Sequence, residues 1–167
     1  MTGRMTTMTI PRVYAVLDAL AGAGCPYWIG GGWGVDALVD RQTRAHRDLD
    51  LALPADRESA ALEALAALGY LVETDWRPVR VEVAEPGGGR VDLHPIVFDE
   101  DGAARQADLG GGSFHYPKEC FTTGVIDGRR VPCLSAEQQV AFHGGYQPRE
   151  VDVLDLRELY LLLAREP

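Results

Sequence analysis

The chain of 167 residues is the length of one folded unit with room for a small appendage. Its 46% hydrophobic and 25% charged residues suit a packed domain and exclude a disordered chain, and no stretch is apolar enough for a membrane span. A formal net charge of -9 disfavours a polynucleotide partner, whose phosphates need a basic face; it agrees with a cationic small substrate and equally with plain solubility.

Residues 1–9 read as a loose, flexible start without the apolar run of a secretory leader. Ile10, Val13, Leu17 and Leu20 recur at helical spacing and stop at Gly22 and Gly24. The segment 26–29 predicts a short buried strand that ends in Gly30-Gly31-Gly32, and Val35, Leu38 and Val39 predict a helix over 33–39. After a polar loop at 40–47, residues 48–53 alternate as a strand with one apolar face. Pro54 and Asp56 then open a helix through Leu62, Leu65 and Leu68, closed by Gly69. Strands are expected at 70–73, 79–84 and 90–96, the last two joined through Pro86-Gly87-Gly88-Gly89, with a turn at 99–102.

Residues 125–131 form a hairpin pattern in which Asp127-Gly128 suits a type I′ turn. Ser135 with Gln138 makes a capping-box signature for a helix reaching His143, and a last helix is expected over 150–164. There is no internal repeat, so the organisation expected is a flexible stretch 1–9, a main domain 10–134 and a helical segment 135–167 of the same unit. Cys25, Cys120 and Cys133 are odd in number and widely spaced; they fit packed thiols in a reducing, cytoplasmic setting better than a disulfide framework.

The chemistry gathers around three aspartates. Asp48 and Asp50, at i and i+2 of a strand, share a face roughly 6.6 Å apart along it. Two carboxylates there repel each other, and a hard cation such as Mg²⁺ or Mn²⁺ would relieve the repulsion; alone, the pair is also compatible with a solvated strand end. Upstream lies a Gly-rich strand-to-helix turn, which lets a backbone approach closely and offers a helix N-terminus to phosphate. Asp92, on a later alternating strand, completes a set able to hold two metal ions against a triphosphate. A buried or ion-paired Asp92 is the alternative.

This pattern resembles the DNA polymerase β-like nucleotidyltransferase superfamily. Over most of the chain the likeness is closer. Tyr27-Trp28, Gly31-Gly32-Trp33-Gly34-Val35-Asp36, Gln42-x-Arg44-x-His46-Arg47-Asp48-x-Asp50, Trp76-x-Pro78-x-Arg80-x-Glu82, Asp92-x-His94-Pro95-Ile96 and Phe142-His143-x-Gly145-Tyr146 look like the small lincosamide nucleotidyltransferases. The resemblance implies an α/β (α+β) fold with a mixed sheet flanked by helices and short C-terminal helices. It also implies transfer of AMP from ATP, or of another nucleoside monophosphate from its triphosphate, to a lincosamide hydroxyl in a Mg²⁺-dependent reaction. Asp48, Asp50 and Asp92 would be the catalytic metal ligands, with Asp92 or Glu82 as general base. Gly31, Gly32, Trp33, Arg44, His46 and Arg47 would meet the nucleotide, and Trp76, Arg80, Glu82, His94, His143 and Tyr146 the acceptor. The implied partners are an antibiotic and a nucleoside triphosphate, with no nucleic acid or membrane and a homodimer admissible. The loop 85–89 departs from the family in its Pro and Gly content. An aminoglycoside acceptor, AMP transfer onto a protein and a non-catalytic binding module are the competing readings.

Overall fold

The computed structural model describes residues 7–143 and 148–165. In chain order these form α1 (Ile10–Gly22), β1 (Trp28–Gly30), α2 (Gly31–Val39), β2 (Asp48–Pro54), α3 (Glu58–Ala67), β3 (Leu71–Trp76), β4 (Arg80–Ala84), β5 (Arg90–Phe98), β6 (Ala104–Ala107), β7 (Ser113–Tyr116), β8 (Phe121–Ile126), β9 (Arg129–Leu134), α4 (Ala136–Phe142) and α5 (Glu150–Arg165). The sheet runs β3-β4-β5-β2-β1-β9-β8, and β6 branches from β5 to pair with β7. It is mixed: β2 and β5 are parallel, as are β1 and β9, while the other neighbours are antiparallel.

Strand alternation divides the sheet into two faces. Leu49, Leu51, Leu53, Val81, Val83, Val91 and Leu93 are sealed against Val13, Val16, Leu17 and Leu20 of α1 and against Ala61 and Leu65 of α3. That burial is the main favourable term in holding β2 and β5 in register. On the other face, a second cluster of Ala52, Ile96, Tyr116 and Leu134 with Trp28, Phe121 and Phe142 covers only part of the surface. The acidic ends of β2 and β5 are left outside it. α4 and α5 pack beside α2 through Val35, Ala136 and Leu159, so the C-terminal helices are continuous with the main unit.

Several local expectations are corrected by tertiary structure. Met8 is 1% exposed, and its N–H donates to His46 O at 2.7 Å, so the expected flexible stretch 1–9 is anchored at Met8, while residues 1–6 lie outside the described residues. Pro54 ends β2 and a 3₁₀ turn, Ala55–Arg57, precedes α3, so that helix starts later than the sequence suggests. Ser135 does cap α4, accepting from Gln138 N at 3.3 Å, but the reciprocal half of the capping box is absent. Gln138 Nε2 donates instead to His115 O, and Ser135 N to Cys120 O. The hairpin of β6 and β7 has no counterpart in the sequence reading. Asp127 and Gly128 have φ of 48° and 80°, the double positive φ that a type I′ turn requires.

Candidate active site

Register brings the acids together. Gly30 of β1 stands opposite Asp50 of β2, Asp50 opposite Asp92 of β5, and Asp92 opposite Glu82 of β4. One row of the sheet therefore carries three carboxylates on one face, with Asp48 two residues along β2. Asp50, Asp92 and His94 each offer a ligand atom within 4.8 Å of the others. His94 Nε2 lies 3.3 Å from Asp50 Oδ1 and 3.6 Å from Asp92 Oδ2, and Arg80 Nη1 donates to Asp92 Oδ2 at 2.8 Å. Glu82 is held more loosely, 3.9 Å from Arg80 and 3.6 Å from Arg90.

Asp48 and Asp92 have shifted pKa values. Burial, followed by the charges of Asp50, Asp92 and Glu82, pushes Asp48 up to about 6 against the pull of Arg47. Burial likewise pushes Asp92 up to about 6, with His94 and Arg80 opposing and Asp50 and Glu82 adding to the rise. The hydrogen bond to Asp50 and the charge of Asp92 raise the His94 pKa against its burial. Gln106 meets the other side of the ring. Its amide donates to Val79 O at 3.0 Å and faces His94 Nδ1 at 3.1 Å, while its carbonyl accepts from the Tyr116 hydroxyl at 2.6 Å. The amide orientation is thereby fixed, so Nδ1 meets a donor and the ring proton is directed to Nε2, toward the carboxylates. The support that Gln106 and Tyr116 give His94 was not expected, because the β6–β7 hairpin they lie on was unforeseen.

The donor set fits a hard divalent cation. Asp92 Oδ1 is buried without a protein partner, and the crowded carboxylate oxygens are the ligands Mg²⁺ or Mn²⁺ prefers. Gly31 adds a steric argument: its φ is +60°, and a Cβ there would overlap the Asp50 carboxylate. The start of α2 is thus pressed directly onto a site acid.

The remaining expected residues fall into different places. Arg44 reaches the Gly-rich turn, with Nη2 2.8 Å from where a Gly32 Cβ would stand, and is bound to Asp155 of α5. His46 is 1% exposed beneath Gly32, its Nε2 bonded to Asp36 and its ring 4.8 Å from that of Trp33. The Trp33 indole is buried in the core and donates to Met8 O at 3.1 Å, so a nucleotide contact at this position falls to its backbone in the first turn of α2. Arg47 is exposed beside Asp48. Trp76, 47% exposed, has the Arg80 guanidinium 4.4 Å above its ring, on the same sheet face as Asp92. His143 caps α4 facing Asp152 of α5, 3.6 Å away, and is not brought to the carboxylates; Tyr146 lies outside the described residues.

A mixed sheet presenting this acidic row beside a Gly-rich helix start is the arrangement expected of a nucleotidyltransferase fold, and solved structures share that fold. The crystal structure of the lincosamide antibiotic adenylyltransferase LnuA with lincomycin bound superposes with a TM-score of 0.85 at 34% identity, covering 94% of this chain and 99% of that one. ANT(2'')-Ia in complex with adenylyl-2''-tobramycin shares the fold, with a TM-score of 0.70 at 23% identity over 95% of this chain and 96% of that one. The aminoglycoside-2''-adenylyltransferase family model matches residues 12–159, and the chain belongs to that family of antibiotic nucleotidyltransferases. It is 35% identical over 152 residues to a lincosamide resistance protein of Staphylococcus haemolyticus, covering 91% of this chain and 94% of that protein. It is 35% identical over 135 residues to a 2''-aminoglycoside nucleotidyltransferase of Escherichia coli, covering 80% of this chain and 71% of that protein.

Proposed function

We propose that this chain moves AMP from ATP onto a hydroxyl of a lincosamide antibiotic, releasing pyrophosphate and inactivating the drug in the cytoplasm. The observation that carries the reading is the acidic row Asp50–Asp92–Glu82 with Gly31 pressed against Asp50, an arrangement that juxtaposes a cation site and a phosphate cradle. Asp48, Asp50 and Asp92 would hold Mg²⁺, as one ion or two, with Mn²⁺ able to replace it; the metal supplies neutralisation of the polyphosphate and polarises the attacking hydroxyl.

The protein's own groups divide the remaining work. The opening N–H groups of α2, at Gly31 and Gly32, face the phosphates, and Arg44 and Arg47 add positive charge there. His46 supports this turn from beneath. Asp92 is taken as the base of the two acids considered: Arg80 engages only its Oδ2 and leaves Oδ1 without a protein partner, whereas Glu82 stands between two cations, Arg80 and Arg90. Trp76, Arg80, Glu82 and His94 line the acceptor side. Residues 10–134 and the helices of 135–167 work as one unit, and one chain holds every acid of the site, so a homodimer is admissible without being required.

A lincosamide acceptor is favoured over an aminoglycoside because the match to the lincosamide resistance protein spans 94% of that protein, against 71% for the aminoglycoside enzyme. The test is pyrophosphate release with ATP, Mg²⁺ and either lincomycin or kanamycin. The expected result is a larger kcat/KM for lincomycin. A ratio below one assigns the chain to aminoglycosides, and no release with either acceptor overturns the enzymatic reading in favour of a binding module.

A further inference from the structure

The loop between α2 and β2 is tied to the C-terminal helix by two arginine–carboxylate pairs. Arg41 Nη2 donates to Glu158 at 2.7 Å. Arg44 makes a two-pronged contact with Asp155, Nε to Oδ1 at 3.1 Å and Nη2 to Oδ2 at 2.9 Å. The two differ in exposure: the Arg41 side chain is 56% exposed, whereas Asp155 is 5% and Arg44 21% exposed. The Arg41 pair is a surface contact of the kind worth little, while the fork geometry at Arg44 fixes a planar group in one orientation.

That orientation has a target. Arg44 Nη2 stands over Gly32, where a Cβ would come within 2.8 Å. Gly32 lies in the first turn of α2, a nine-residue helix whose leading N–H groups have no carbonyl partner within the helix. His46 Nδ1, buried and without a hydrogen-bond partner, closes on the same Gly32 position as Arg44 Nη2, so the two side chains converge on one point of the turn. Of the five Arg44 N–H groups, two go to Asp155 and one to Ala45 O at 3.1 Å. Two are left for a ligand.

We propose that Asp155 is a positioning residue for the nucleotide: from α5 it holds the Arg44 guanidinium over the Gly31–Gly32 turn, so that the two remaining N–H groups meet the polyphosphate. This rests on the nucleotidyltransfer reading. Without Asp155 the long Arg44 side chain would sample other rotamers, and nearby carboxylates would compete for it, as Asp92 already engages Arg80. The helix thus contributes to nucleotide affinity without touching the nucleotide.

The experiment measures equilibrium binding of ATP with Mg²⁺, without acceptor, in a double-mutant cycle of Asp155→Ala and Arg44→Ala, with Asp155→Asn as the milder variant should Asp155→Ala fold poorly. We expect Asp155→Ala to weaken ATP binding about tenfold, the worth of one charge-assisted hydrogen bond, and to raise the KM for ATP while leaving that for lincomycin unchanged. In the Arg44→Ala background the same substitution should have no further effect on ATP affinity. Equal losses in both backgrounds would mean that Asp155 acts through general stability, and an unchanged ATP affinity in the wild-type background would equally overturn the proposal. Wild-type protein that does not bind ATP would overturn the nucleotidyltransfer reading with it, whereas intact wild-type binding without coupling would overturn the positioning role alone.

Discussion

Asp50 and Leu51 are neighbours on β2 and point to opposite faces of the same sheet. Leu51 has no exposed surface and packs among Leu49, Leu53, Val91 and Leu93, while Asp50 lies among Asp48, Asp92 and Glu82 on the other side. The apolar face gains free energy from every strand it aligns, and the register it enforces is what brings like charges opposite one another. Repulsion that would separate free carboxylates is tolerated because undoing it means exposing the core behind them. The acids remain strained electrostatically, which is visible in Asp48 and Asp92 pushed up to about 6.

Separating the two faces by mutation should give opposite signatures. Asp48→Asn should reduce AMP transfer on the order of 100- to 1,000-fold, measured as pyrophosphate release. Its Tm without metal should hold or rise, because one of several crowded like charges is gone. Near-wild-type turnover would remove Asp48 from the site. Leu51→Ala should do the reverse, costing about 2–5 kcal/mol in denaturant unfolding through the cavity it leaves, with kcat per folded molecule close to wild type. A variant that lost both stability and turnover in equal measure would show that the faces are not separable.

The division between the faces was legible in the sequence; the supports around it were not. Alternation through 48–53 and 90–96 put the leucines on one side and Asp48, Asp50 and Asp92 on the other, because a two-residue period is a local signal. The Asp127-Gly128 turn and the Ser135 cap were readable for the same reason. The hold of Gln106 and Tyr116 on His94 was missed: β6 and β7 are four residues each, with no clear alternation, and are paired through an Asp108 turn whose carboxylate accepts from Gly110 and Gly112. Asp155 was missed since an ion pair 111 residues apart leaves no periodic trace. Trp33 was placed at the nucleotide by the resemblance. Adjacency in sequence does not reveal which way a helix turns its side chain, and here the helix turns it into the core.

Gln106 tests whether the hidden support matters to the visible site. Gln106→Leu keeps the volume and removes the donor to His94 Nδ1 and the acceptor for Tyr116. The loss should cost about 1–3 kcal/mol of stability through the unpartnered groups left behind, and lower kcat about tenfold as His94 loosens between Asp50 and Asp92. Nitrogen chemical shifts of His94 give the readout that stability alone would not move. In wild type the proton should sit on Nε2, and in the variant the two tautomers should mix. Unchanged shifts would mean that the carboxylates, not Gln106, set the tautomer.

The smallest effect is expected at the edge of the site. Trp76 is on β3, at the edge of the sheet, and its half-exposed ring has the Arg80 guanidinium 4.4 Å from its centroid. Such a contact at an exposed position is worth about 0.5–1 kcal/mol, and Arg80 has a second anchor in Asp92, so losing the indole should leave the acidic row in place. What disappears is apolar surface beside Arg80, which suits the aliphatic part of a lincosamide and has little to offer a polycationic aminoglycoside. Trp76→Ala should therefore raise the KM for lincomycin about two- to fivefold, the kinetic equivalent of that energy. The kcat and the KM for ATP should stay near wild type, and Trp76→Phe should recover much of the loss. If the lincomycin KM is unmoved while the ATP KM rises, the acceptor does not lie over β3 and β4, and the nucleotide and acceptor sides of the row must be exchanged.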